Sequence, residues 1–332
     1  MDLRGKRLAL IGGAGLIGSH TADELLQHDV AELRIYDDFS RGTRANLTHA
    51  LRDPRVRIFE AGGNICHVDL LNAALAGVDG VFHFAALWLL QCAEFPRAAF
   101  EVNVGGFYNV LEACVRQGVA RLVFSSSASV YGDAEREPMT EDHPFNNRSL
   151  YGATKIAGEA LARAFHHQFG LSYVGLRYMN VYGPRQDHRG AYVAVVMRML
   201  DSISGGEPIV IHGDGSQSYD FVYVGDCARA NVLAMKAETV DRFYNVGTGT
   251  KTSLLALAEL VQELTGVWVG VTHRESNPSL VKNRIGCPRR ATKELGFEAA
   301  TKLRSGLKLL IEWYCEERSI ATLGCPILRA SR

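Results

Sequence analysis

Long apolar runs recur through the first half of the chain at strand-like lengths: RLALIGG (7–13), LRIYD (33–37), VRIFEA (56–61), GVFHFAA (80–86), RLVFSSS (121–127) and SYVGLRYMNV (172–181). Several are almost continuously apolar, with little polar alternation. That is the pattern of strands buried on both faces of a parallel sheet. Between them the apolar positions return at helical spacing, most clearly over 94–117 and 150–169. Strand and helix patterns that alternate in this way predict an α/β fold with a doubly wound parallel sheet.

The texture changes near residue 182. VYGPRQDHRG is rich in turn formers and charge,. A helix pattern over 191–204 follows, then short strands at IVIHG and YDFVYV. Next come a helix over 226–237, a strand FYNVG (243–247), a helix over 253–265 and a helical tail over 303–317. The reading is a cofactor domain over 1–181 and a smaller α/β substrate lobe over 182–332. The strand at 243–247 is a candidate to return to the main sheet. No repeat or low-complexity segment interrupts the chain.

Composition narrows the partners. Lysine plus arginine and aspartate plus glutamate are 36 each in 332 residues. A neutral chain offers no electrostatic footprint for nucleic acid or an acidic membrane surface. No apolar run approaches a membrane span, and MDLRGKRLALIGG runs straight into a strand with no secretory layout,. The seven cysteines form no C-x-x-C pair, and the adjacent His166 and His167 point in different directions on a helix,. Free thiols in a cytoplasmic protein without a metal site are the expectation.

Gly12, Gly15 and Gly18 in LIGGAGLIGSH follow the first strand and open a helix pattern. Glycines there let the backbone approach a pyrophosphate, and the helix start offers N–H donors to it. This is a Rossmann-type signature. Asp37 ends the next strand, placed to accept from a ribose 2′-hydroxyl and to repel a 2′-phosphate. NAD, not NADP, is the expected cofactor, although Arg41 and Arg44 follow closely.

Tyr151 and Lys155 lie four apart at the start of the 150–169 helix and share a face,. A tyrosine titrates near 10, and a neighbouring ammonium is expected to lower that value by stabilising the phenolate. Such a pair makes a general base for a sugar or alcohol hydroxyl.

With Ser127 placed 24 residues before Tyr151, the chain resembles the extended short-chain dehydrogenases/reductases, the sugar-nucleotide epimerases and dehydratases. The resemblance covers about residues 6–315. It is carried by GGAGLIGSH, YDD, HFAAL, EVNVGGFYNVLEAC, SSSASVYG, YGATK, RYMNVYGPRQ and HGDGSQSYDF. It implies a catalytic set of Ser127, Tyr151 and Lys155. It implies NAD contacts at Gly12, Gly15, Leu16, Ile17, Gly18, Asp37, Asn64, Ile65, Phe84, Ala85, Ala86, Asn103, Ser125, Tyr151, Lys155 and Tyr178. Trp88, Ser127, Ser129, Asn180, Tyr219, Arg274 and Arg284 fall at substrate positions, for a nucleotide sugar such as a UDP-sugar. A homodimer through the 94–117 and 150–169 helices is also implied, with Phe107, Leu111, Leu161 and Phe165 as apolar positions on them.

The residues after Ser127 choose among the family's reactions. Dehydratases carry Asp-Glu there, decarboxylases a Glu at the second position, and other branches a Cys. Here they are Ala128 and Ser129, which leaves hydride removal and return and so resembles a 4-epimerase, with the segment RYMNVYGPRQDHRGAYVAVV most like the branch that takes N-acetylhexosamine nucleotides. A 4-ketoreductase, an epimerase at another carbon and an NAD-binding regulator are the alternatives. Four positions depart from the pattern. Tyr219 stands where an arginine usually grips the diphosphate, and Asn64 where an aspartate is usual. Arg284 stands at the position that gates sugar size. Asp187 stands where the uronate branch has an arginine.

Overall fold

The computed structural model describes residues 1–187, 194–275 and 281–319. Six strands build the first half: β1 (Arg7–Ile11), β2 (Glu32–Tyr36), β3 (Val56–Ile58), β4 (Gly80–His83), β5 (Arg121–Ser127) and β6 (Tyr173–Tyr178). The helices that return the chain are α1 (Leu16–Leu25), α2 (Val68–Leu75), α3 (Leu89–Glu94), α4 (Pro96–Phe100), α5 (Phe107–Arg116) and α6 (Leu150–Phe169). The second half holds β7 (Asn180–Tyr182), α7 (Val195–Gly205), β8 (Ile209–His212), β9 (Ser218–Tyr219), β10 (Phe221–Tyr223) and α8 (Val224–Lys236). It continues with β11 (Arg242–Val246), β12 (Thr252–Ser253), α9 (Leu254–Thr265), β13 (Val271–Arg274), β14 (Asn283–Arg284), α10 (Arg289–Leu295) and α11 (Leu303–Glu317).

The main sheet is parallel throughout, in the order β11-β6-β5-β4-β1-β2-β3. It is Rossmann-type and doubly wound, as the apolar runs predict. Successive strand residues feed opposite faces. Leu10, Ile35, Phe82, Val123 and Val174 build one core layer, and Ala9, Tyr36, Val81, Leu122 and Tyr173 the other. β11 does return to the main sheet, beside β6, and Asn231 of α8 donates to Thr21 of α1 (3.1 Å). The chain therefore crosses between the lobes more than once. The smaller lobe has its own core around Met197, Leu200, Leu257, Val261 and Leu310.

The helix expected over 94–117 runs over 96–116 without interruption, as α4, a wide-turned stretch at Glu101–Gly106 and α5. It begins at Pro96, just after α3. A Cβ on Gly106 would come within 2.6 Å of Ile65 Cγ1, so that turn presses its backbone onto the Ile65 side chain in the loop before α2. Phe107 and Leu111 are fully buried, and Phe165 nearly so, inside this subunit; they serve its own core. Residues 191–193 of the helix expected over 191–204 lie outside the described residues. Among the described residues no helix is long and apolar enough to cross a membrane, and no group of His, Cys, Asp or Glu is arranged to hold a metal ion.

Candidate active site

A cleft of about 1180 Å³ opens at the carboxyl ends of the strands, the usual ligand position in such sheets. The turn after β1 forms its dinucleotide end. Gly12 has φ 79°, and a Cβ there would come within 2.6 Å of Ala85 N; only glycine fits between the turn and β4. A Cβ on Gly15 would meet just one atom, Gly12 O at 3.4 Å. The backbone at Gly15 is therefore bare toward the cleft, and the first N–H groups of α1 have no partner within the helix. That cradle fits a pyrophosphate. Asp37 is buried at the end of β2. Its Oδ2 accepts from Ala14 N and its Oδ1 from Phe39 N, both at 2.8 Å. Each oxygen keeps a further acceptor site for a ribose hydroxyl. Burial holds the Asp37 carboxyl above its ordinary range, opposed by those two hydrogen bonds. Arg44 pairs with Glu60 (2.8 Å) at the surface and Arg41 with Asp187 (3.0 Å).

Leu16, Ile17, Gly18, Asn64, Ile65, Phe84, Ala85, Ala86, Ser125 and Tyr178 line the same cleft. Asn64 shapes its turn, with Oδ1 accepting from Cys66 N (2.8 Å). The Tyr178 hydroxyl donates to Asn231 Oδ1 (2.6 Å). Asn103 does not line the cleft. Its amide is spent on the backbone of Leu87 (2.7 and 2.8 Å) and on Thr154 Oγ1 (3.2 Å). It ties the loop after β4 to the helix that carries Lys155, and the wide turn at Glu101–Gly106 aims it there. Its place beside the α6 helix agrees with the resemblance; the hold on the Leu87 backbone was not foreseen.

The reactive side chains meet where β5 faces the start of α6. Ser149 caps that helix, its Oγ accepting from Gly152 N (3.1 Å), and Asn147 Oδ1 accepts in turn from Ser149 N (2.9 Å) and Oγ (2.8 Å). Side-chain oxygens at this position satisfy helix-start donors and fix Tyr151 in the first turn; Asn147-x-Ser149 was a readable signal for it. Ser127 ends β5, accepts from Ser129 N (3.1 Å) and hydrogen-bonds the Tyr151 hydroxyl. Lys155, one turn on, is buried. Its Nζ donates to the Ser125 carbonyl (2.7 Å) and lies 5.7 Å from the Tyr151 ring centroid.

The expected direction of tuning differs in part. Burial pushes the Tyr151 phenol up to about 12, opposed by the Ser127 hydrogen bond and by the charges of Arg284 and Arg41. Lys155 is turned to a carbonyl instead of the phenol, and burial brings its own value down to about 8. The site thus holds a costly ammonium. Its folded value lies below the ordinary 10.5, so the penalty is full below about 8 and vanishes as pH rises past 10.5. Lys155→Met is expected to stabilise the cofactor-free protein at pH 7 by ~2 kcal/mol, the burial penalty less one lost hydrogen bond. Thermal unfolding checks this: the variant melts higher at pH 7 and the gap narrows toward pH 10.5. A variant that melts lower at pH 7 contradicts it.

Trp88, Ser129, Asn180, Tyr219, Arg274 and Arg284, the expected substrate positions, also line the cleft. Asn180 is fixed by its backbone N–H to Asp220 O (2.9 Å). The Tyr219 hydroxyl donates to Val281 O (2.7 Å). Arg284 is the cross-strand neighbour of Tyr219 in the parallel β9–β14 pair. Among the described residues its side chain makes no ion pair and no hydrogen bond, and its Nε is buried without a partner. Arg41 lies over the Trp88 ring, 4.4 Å from the centroid; neither this contact nor the Arg41–Asp187 pair was foreseen.

A cleft whose glycine-rich turn fits a dinucleotide, with a serine–tyrosine pair beside it, holds the groups suited to exchanging a proton with a hydroxyl. That places the protein in the class of NAD-linked short-chain oxidoreductases and isomerases. Residues 8–247 match the NAD dependent epimerase/dehydratase family. A putative UDP-glucose 4-epimerase of Methanocaldococcus jannaschii is 32% identical over 92% of this chain and 97% of its own. The solved UDP-N-acetylglucosamine 4-epimerase of Methanobrevibacter ruminantium M1, in complex with UDP-N-acetylmuramic acid, superposes with a TM-score of 0.89 at 30% identity, covering 95% of this chain and 99% of that one. A dTDP-glucose 4,6-dehydratase of Streptomyces venezuelae, solved with NAD bound, gives 0.87 at 30% identity over 94% and 98%. The chain belongs to the NAD dependent epimerase/dehydratase family, and its cofactor is NAD.

Proposed function

We propose that the protein is a 4-epimerase of a nucleotide-diphospho-sugar, a UDP-sugar first. The observation that carries this is the pair after Ser127. Ala128 and Ser129 are buried and place no carboxylate or thiol next to Tyr151. Dehydration or decarboxylation needs a further acid–base group at the sugar. Cys92 acts on Tyr151 electrostatically, but its thiol donates to the Leu87 carbonyl (3.3 Å) and burial pushes its pKa up.

In this reading Ser127 orients the sugar hydroxyl and Tyr151 accepts its proton. The Ser127 bond and the charges of Arg284 and Arg41 favour the phenolate. Lys155 holds the nicotinamide ribose, and Gly12, Gly15, Gly18 and Asp37 hold the rest of the cofactor. NAD supplies, when bound, a hydride acceptor that gives the hydride back. Tyr151 then returns its proton to the same oxygen, so atoms balance without a co-substrate.

The test is a screen of UDP-, GDP-, CDP- and dTDP-sugars by NMR and mass spectrometry. A product of unchanged mass with one inverted centre supports the reading. A product lighter by water or carbon dioxide contradicts it. A homodimer across α5 and α6 belongs to the same proposal, with the exposed Tyr108 and Phe169 in the interface; a monomer in analytical ultracentrifugation removes it.

A further inference from the structure

We propose that Arg41, Trp88 and Asp187 form a clasp that closes over the bound dinucleotide and slows its release. β1 lies between β2 and β4, and β6 lies two strands beyond β4. Arg41 comes from the loop after β2, Trp88 from the loop after β4, and Asp187 from the segment after β7, which itself follows β6. Strands sit about 4.8 Å apart, so these loops start roughly 10–20 Å apart along the carboxyl edge. They meet nonetheless. The Arg41 guanidinium lies 4.4 Å from the Trp88 centroid, and its Nε donates to Asp187 Oδ2 at 3.0 Å. A contact from the β2 loop to the β4 loop has to pass over the end of β1, where the Gly12–Gly15–Gly18 turn forms the pyrophosphate cradle. All three residues line the same cleft as that turn.

Both ends of the clasp are anchored. On the Arg41 side, Thr43 N and Asn46 Nδ2 donate to Ala14 O (3.3 and 2.8 Å). A Cβ on Gly42 would come within 2.6 Å of Ala14 C, so the loop is pressed onto the glycine-rich turn itself. On the Asp187 side, Arg185 has φ 67°, a left-handed conformation that a residue with a side chain adopts at a cost,. Its NH2 pairs with Asp23 Oδ2 of α1 at 2.6 Å. Two ion pairs, Arg41–Asp187 and Arg185–Asp23, therefore fasten the segment after β7 to the cofactor half at separate points.

The consequence lies in cofactor exchange. A cation stacked on an indole and paired with a partly buried carboxylate forms a closure that is stable between openings, and NAD leaves only when it opens. This does not rest on the 4-epimerase reading. It needs only that the chain binds NAD.

The test uses the NAD-loaded protein. After desalting, released NAD is followed with a coupled alcohol dehydrogenase, and thermal unfolding is recorded in parallel. Arg41→Met keeps an apolar stem over the indole and removes the charge, while Asp187→Asn changes one atom. Arg41→Met is expected to release NAD about tenfold faster, the effect of one cation–π contact with one partly buried ion pair, and Asp187→Asn about threefold faster, the effect of the ion pair alone. The charge-swapped pair R41E/D187R is expected to recover part of the loss. Release from the unmodified protein is expected to quicken as salt is raised, because partly exposed ion pairs are screened. Unchanged release in both single variants overturns the clasp. Slower release in Arg41→Met also overturns it, since that result means Arg41 excludes the cofactor. Should a variant not fold, a salt-independent release rate in the unmodified protein counts against the clasp by itself.

Discussion

Tyr151→Phe loses turnover by about 10²–10⁴-fold, the usual contribution of a positioned general base, while NAD stays bound. The substitution removes a single oxygen. Ser127 then has no phenol to bond, but the cap at Ser149 and the Lys155 contact to Ser125 do not involve that oxygen, so the local fold stays. The size of the loss follows from the position of the phenol. With burial pushing it up to about 12, an unaided tyrosine is protonated at neutral pH. Bound NAD adds positive charge to a site where Arg284 and Arg41 already favour the phenolate. The rate of the unmodified enzyme is therefore expected to rise with pH on the acid side. Activity and retained NAD are measured on the same preparation. A variant that keeps more than about a third of the rate, against the loss expected of a missing base, shows that another group takes the proton.

Arg284→Ala weakens every nucleotide sugar by a similar factor, worth about 1.5–3 kcal/mol for a charged hydrogen bond. The diphosphate brings about two negative charges into the cleft, and they need cationic donors once out of water. Tyr219 is a neutral phenol that already donates to Val281 O, a weaker partner than a guanidinium. Its cross-strand neighbour Arg284 faces the cleft with no ion pair among the described residues, and burial draws its pKa down. Arg284 on the adjacent strand is therefore expected to supply the positive charge that position 219 lacks. Because that cation has no ion pair among the described residues, its removal is expected to leave thermal stability unchanged or raised. Binding measured across several sugars checks the assignment. A loss confined to sugars bearing a carboxylate moves Arg284 onto the sugar, and unchanged binding throughout removes it from the site.

The sequence was legible where the determining pattern is local. Gly12, Gly15 and Gly18 follow a strand within seven residues, and Tyr151 and Lys155 lie one helical turn apart, so spacing alone brings each set together. Asp37 was legible because it ends a strand whose neighbour is fixed by the sheet order. Asn103 was read as lying near the active-site helix, and its bond to Thr154 reaches that helix; its hold on the Leu87 backbone joins residues 16 apart and was not readable locally. Phe107 and Phe165 sit at apolar helical positions that serve core or interface equally, and only the packing showed them in the core. The Arg41–Asp187 pair joins residues 146 positions apart. Nothing local in either loop specifies that meeting; it depends on how the smaller lobe is laid across the sheet. The departures at Tyr219 and Arg284 were readable singly, but not that they are neighbours.

The most direct measurement follows the hydrogen at C4. A UDP-hexose deuterated at C4 is incubated with the NAD-loaded protein in ordinary water, and the product is read by NMR and mass. If the hydride is removed and returned within one site, the product has inverted C4 configuration, unchanged mass and its deuterium still on C4. Loss of the label to solvent, or a product lacking water or carbon dioxide, contradicts epimerisation at that carbon.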